Sequence, residues 1–83
     1  MTPNAQTFRK ALETIFSDAR ERGQEYVDVV SGELHAKIGG YPSSNHRMPT
    51  CCSVMRQHMK AADMELSAPP KGKGAELRIR YYL

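Results

Sequence analysis

The run Tyr26-Val-Asp-Val-Val30 constrains this chain more than any other part of it. Its β-branched and aromatic residues favour a strand, yet five residues are too few to turn back and form a hairpin alone. The strand needs a partner from elsewhere, so the fold must bring distant segments together around it. On both sides the hydrophobic pattern changes to a helical period. Within 2–22, Phe8, Leu12, Ile15, Phe16 and Ala19 recur at i, i+4, i+7, i+8 and i+11, which is one face of a helix. Thr2 is placed to cap its start, Pro3 suits the first helical position, and Gly23 suits the left-handed residue that ends it. After the strand, Ser31 can offer its side-chain oxygen to the free amides of a short helix over 32–38. Leu34 and Ile38 form the buried pair of that helix, Glu33 suits its dipole, and Gly39-Gly40 stops it. His35 reads as a surface or boundary residue.

The stretch 41–48 holds turn formers and hydrogen-bond donors without periodicity and reads as an exposed loop. Pro49 opens a third helix over 49–60, with Cys52, Met55 and Met59 on one side and Val54 widening the apolar stripe. The opposite side shows Ser53, Arg56, Gln57 and Lys60, a polar and basic face without an acid. Next, 63–67 alternates with Met64 and Leu66 inward, and 75–83 with Leu77, Ile79, Tyr81 and Leu83 inward, so two half-buried antiparallel strands are expected. Between them 68–74 is rich in Pro and Gly, too long for a two-residue turn, and tipped by Lys71 and Lys73. The expected class is α+β, with residues 1–83 forming a single domain. A domain of 83 residues buries too little surface for a deep, water-excluding pocket, which favours binding over catalysis.

The order helix, short strand, short helix, loop, helix, strand, basic loop, strand resembles the winged helix-turn-helix over nearly the whole chain. That resemblance implies a first strand pairing with the C-terminal hairpin and double-stranded DNA as partner. It also implies a third helix in the major groove and a hairpin loop, the wing, on the backbone. Mapped onto this sequence, 32–38 is the supporting helix, 49–60 the recognition helix and 68–74 the wing. Asn45, His46, Arg47, Thr50 and Ser53 then become candidate base readers, Arg47 able to pair with guanine and Asn45 with adenine. Arg56, Gln57, Lys60, Lys71 and Lys73 become candidate phosphate contacts. Tyr41 either packs beneath the helix or donates to a phosphate. The phrase SGELHAKIGGYPSSNHRMPTCC with the ending GKGAELRIRYYL is also similar to small uncharacterised bacterial proteins of restriction or mobile-element neighbourhoods.

Charge agrees with that assignment. The net charge is +3, but residues 1–33 carry four basic and six acidic side chains, while 34–83 carry eight basic and three acidic. The positive field, which attracts polyanions, belongs to the segment holding the third helix and the wing. Adjacent Cys51 and Cys52 cannot staple distant segments, which points to a reducing, cytoplasmic setting. No stretch approaches the roughly 18 apolar residues of a membrane span. His46, Cys51, Cys52 and His58 can be written as a zinc set, but neighbouring helical cysteines point about 100° apart and cannot share one tetrahedral ion. Cys52 reads as core and Cys51 as the core's edge. Cys51 with His46 or His58 is the one nucleophile and base pair, too little for an active site. No enzyme activity, cofactor, membrane or small-molecule substrate is expected, and a hairpin edge able to pair across a two-fold axis allows a homodimer. The alternative function is a protein-interaction module or accessory subunit of the same fold without nucleic-acid binding.

Overall fold

A computed structural model of the protein describes residues 4–38, 47–68 and 74–83. Helix α1 spans Ala5–Glu21, strand β1 Tyr26–Val30, helix α2 Ser31–Ile38, helix α3 Met48–Gln57, strand β2 Met64–Ser67 and strand β3 Arg78–Tyr82. The strands form one antiparallel sheet in the order β1-β3-β2. The isolated first strand therefore pairs with the last, Tyr26 opposite Tyr82 through Val30 opposite Arg78, and the hairpin supplies the partner that five residues demanded. Three helices with a short strand added to a C-terminal hairpin is the expected α+β architecture, and it is compatible with a small winged-helix-like fold.

Local chemistry sets the helix ends. Asn4, not Thr2, caps α1, accepting from the Thr7 amide at 3.0 Å, while the Thr7 hydroxyl accepts from the Asn4 amide. Asn4 prevails because its carboxamide oxygen reaches that amide and residue three of the helix can reciprocate. At the other end Gly23 takes φ +74, and the amides of Gly23 and Gln24 return to the carbonyls of Arg20 and Ala19. This is the left-handed stop that glycine allows without strain. Helix α3 ends at Gln57, three residues before the expected Lys60. The Asp63 carboxylate captures the Lys60 amide at 2.8 Å, and Asp63 donates its own amide to the Lys60 carbonyl, which turns the chain toward β2.

One face of the sheet packs on the helices. Val29, Ile79 and Tyr81 join Phe8, Leu12, Leu34, Cys52, Val54 and Met55 in a single core. Tyr81 is wholly buried, with its ring 4.8 Å from that of Phe16 and its hydroxyl donating to the Met55 carbonyl at 2.7 Å. That bond ties the last strand to the third helix. Cys51 lies inside this core rather than at its edge, because the first turn of α3 is enclosed by α1 and α2.

Two expectations about facing are corrected. Met64 and Leu66 do not point inward; they are 51% and 39% exposed. Register with β3 decides the matter: Met64 sits opposite Arg80, on the open face, and Glu65 sits opposite the buried Ile79, on the helix side. His35 is not a surface residue but is fully buried, edge-on to Phe8 at 5.1 Å between ring centroids. Ser31, Leu34, His35 and Ile38 share one stripe of α2, and that whole stripe turns inward.

Candidate functional site

The exposed side of α3 is defined by what the other side buries. Met48, Cys51, Cys52, Val54 and Met55 point into the core, so Pro49, Ser53 and Gln57 run down the middle of the solvent face. Thr50 and Arg56 flank them, half-buried, and Arg47 stands exposed at the helix start. No acidic side chain belongs to this helix. Pro49 in the first turn has no amide proton to waste, and the remaining free amides give that end partial positive charge.

The start of α3 is held by His35, a residue expected at the surface. His35 Nε2 accepts from the Arg47 amide at 2.8 Å, so a buried ring on α2 fixes where α3 and its first cation begin. An acceptor at Nε2 places the ring proton on Nδ1 when the imidazole is neutral. The available signal was the i, i+3, i+4, i+7 stripe that includes position 35.

The chain at Gly74, where the described part of the structure resumes before β3, is pinned beside the same helix. The Ser31 hydroxyl, expected to cap α2, instead donates to the Gly74 carbonyl. Cys52 Sγ lies 3.4 Å from that oxygen, and the Gly32 amide donates to the Ala75 carbonyl at 3.0 Å. A carbonyl has two lone pairs, so Gly74 serves both side chains. Gly32 permits the approach: a Cβ there would lie 2.9 Å from both the Cβ and the carbonyl oxygen of Ala75. Gly32→Ala is therefore expected to destabilise the fold by about 1–2 kcal/mol through overpacking, despite alanine's better helix propensity. Thermal melting checks this, and a raised melting temperature contradicts it.

Two of the expected phosphate ligands already have acidic neighbours. Arg56 Nε donates to Glu65 Oε1 at 2.8 Å, both side chains about one third exposed, and Lys60 Nζ lies 3.4 Å from Asp63 Oδ2. The Asp63 side chain is wholly covered and also accepts from the Tyr82 amide at 2.8 Å. Burial alone raises its pKa, but the Lys60 and Tyr82 amides and the Lys60 ammonium together outweigh that and hold the carboxyl below its ordinary range. Arg47, Thr50, Ser53, Arg56 and Gln57 are thus brought together along α3, and Lys60 follows its end in a turn. Asn45, His46, Tyr41, Lys71 and Lys73 lie outside the described residues.

Burial first, and the neighbouring Cys52 second, push the Cys51 thiol up to about 12, so it is protonated at neutral pH and shielded from solvent. Among the described residues no group of three His, Cys, Asp or Glu could hold a metal ion, and no helix is long and apolar enough to cross a membrane. A hollow of about 150 Å³ between α1, β1 and α2 is lined by Ile15, Asp28, Glu33 and Lys37 among others, and neither a cysteine nor a histidine is among its described lining residues. Compared with known proteins, the chain matches no family model, no curated protein sequence and no solved structure.

Proposed function

We propose that the protein binds double-stranded DNA, with the exposed face of α3 in the major groove and the 68–74 loop on the adjacent backbone. The observation that carries this reading is the joint between helix and wing. Cys52, on the buried side of α3, contacts Gly74 at the wing root, and the opposite side of the same helix is polar and free of acids. A groove-reading helix needs that combination: a rigid seat behind it and donors in front. Arg47 is the candidate for a bidentate pair with guanine, joined by Asn45 on adenine and by His46, Thr50 and Ser53 nearby. Gln57, Lys60, Arg56, Lys71 and Lys73 then supply phosphate contacts, sequence-independent and sensitive to salt. No cofactor is needed for docking of this kind, and two free thiols suit a reducing, cytoplasmic setting.

The Arg56 and Glu65 pair adds a specific expectation. An ion pair this exposed contributes little to stability, but it competes with any phosphate for the guanidinium. Glu65→Gln is expected to strengthen duplex binding about threefold and to steepen the log–log salt slope by about 0.9, the release of roughly one more counterion. Fluorescence anisotropy of a labelled duplex across a salt series reads both quantities. In the same assay Arg47→Ala should relax base preference by about 1–3 kcal/mol at one position. A wild-type protein that leaves the duplex anisotropy unchanged even at about 50 mM salt contradicts the proposal.

A further inference from the structure

The sheet has a second face, which the helices leave uncovered. Pairing sets its rows: Tyr26 lies opposite Tyr82; Asp28, Arg80 and Met64 line up across all three strands; and Arg78 follows one row on. The middle row is a preassembled unit. Arg80 donates from Nε and Nη2 to the two oxygens of Asp28 at 2.8 and 3.0 Å, and its guanidinium carbon sits 4.1 Å from the centroid of the Tyr26 ring. The Tyr26 and Tyr82 ring centroids are 6.0 Å apart, with the two planes tilted by 58° so that each ring offers its own stacking surface. The hydrogen bonds from Arg80 outweigh burial and hold the Asp28 carboxyl below its ordinary range, so the fork stays charged and fixed at neutral pH. Meanwhile Tyr26 is 42% and Met64 51% exposed. Arg78 is exposed, with no ion pair among the described residues.

The geometry points to single-stranded nucleic acid as the ligand of this face, with roughly one base stacking on the Tyr26 ring that Arg80 braces, a second on Tyr82, and Arg78 on a phosphate. Size separates this ligand from a protein partner. Strands about 4.8 Å apart with about 3.3 Å rise per residue, five residues long in β1 and β3 and four in β2, give a platform of roughly 200 Å². A stable protein interface takes about 800 Å² from each side, whereas a short strand of bases needs no more than the platform offers. Charge points the same way: two arginines face one aspartate here, because Glu65 lies on the opposite face and holds Arg56. Chemistry separates the ligand from duplex DNA. Flat aromatic and guanidinium planes stack with any base, but a duplex keeps its base faces covered. This site is distinct from α3 and does not depend on the duplex reading.

The test is anisotropy of a labelled ten-nucleotide oligothymidylate at about 50 mM salt. The wild-type chain is expected to bind it and, having four tyrosines and no tryptophan, to show quenched tyrosine emission on binding. Tyr26→Ala should weaken binding about tenfold, while Tyr26→Phe, which keeps the ring, should stay within about twofold. Arg78→Ala, which leaves the stack intact, should flatten the salt slope by about 0.7. Arg47→Ala should leave oligothymidylate binding unchanged while altering duplex binding, so failure of one site is distinguishable from failure of the other. The proposal is overturned by absent binding, by binding indifferent to both Tyr26→Ala and Arg78→Ala, or by binding that Arg47→Ala removes. A dimer in sedimentation that Tyr26→Ala dissolves would assign the face to a second copy and overturn it equally.

Discussion

Ser53→Glu is expected to lower duplex affinity about thirtyfold, roughly 2 kcal/mol, while leaving the melting temperature almost unchanged. Position 53 lies mid-helix on the exposed side of α3, between Thr50 and Gln57, with its side chain in solvent. Glutamate is at least as good a helix former as serine, and at i, i+3 from Arg56 it gains a cation neighbour, so the fold loses nothing. In the groove the same carboxylate would face phosphates and base acceptors, and like charges brought together in an interface cost several kcal/mol. Anisotropy and a thermal melt on the same sample separate the two effects. An unchanged affinity would remove α3 from the interface.

Asp63→Asn is expected to cost about 2–4 kcal/mol of stability, a fall of about 10–20 °C in Tm for a domain of this size. The covered carboxylate accepts the Lys60 amide where α3 has ended and the Tyr82 amide on β3, so it joins helix, turn and sheet. Asparagine keeps one acceptor and turns a donor toward the other amide. The Lys60 ammonium matters less, being mostly exposed. Because the folded Asp63 carboxyl titrates below the unfolded value near 3.9, the unfolded chain binds more protons in that interval. Its contribution is complete above about pH 5 and is lost as pH falls through the folded pKa. Asp28, lowered mainly by its hydrogen bonds from Arg80, adds a dependence of the same sign. Wild type and Asp63→Asn should therefore differ most near pH 7 and draw closer as pH falls below the unfolded value. Urea melts across that range test it, and a gap that is constant with pH contradicts it.

The elements legible in the sequence are those with redundant signals. Strand β1 was legible to the residue because turn formers and helix starts bound it, and β3 because Leu77, Ile79 and Tyr81 all choose one face. Shorter or compensated signals misled. In Met64-Glu-Leu-Ser67 two apolar residues suggested an inward phase, but pairing with β3 and the reach of Glu65 to Arg56 set the opposite one. His35 hid in a buried stripe because histidine is polar by type, although here the Arg47 amide satisfies Nε2. Ser31 was legible as a hydroxyl at a helix start, yet its partner is a carbonyl 43 residues away, which local patterns do not carry. The candidate face on α3 followed from helical periodicity. The acidic neighbours of Arg56 and Lys60 did not, because they depend on how the chain turns after Gln57.

The most direct measurement of the central claim is amide chemical-shift mapping of the protein titrated with a short DNA duplex. Perturbations are expected to concentrate at Arg47, Thr50, Ser53, Gln57 and Gly74, with the far side of α1 unaffected. No perturbation at low salt, or perturbations centred on α1 and away from α3, would contradict it.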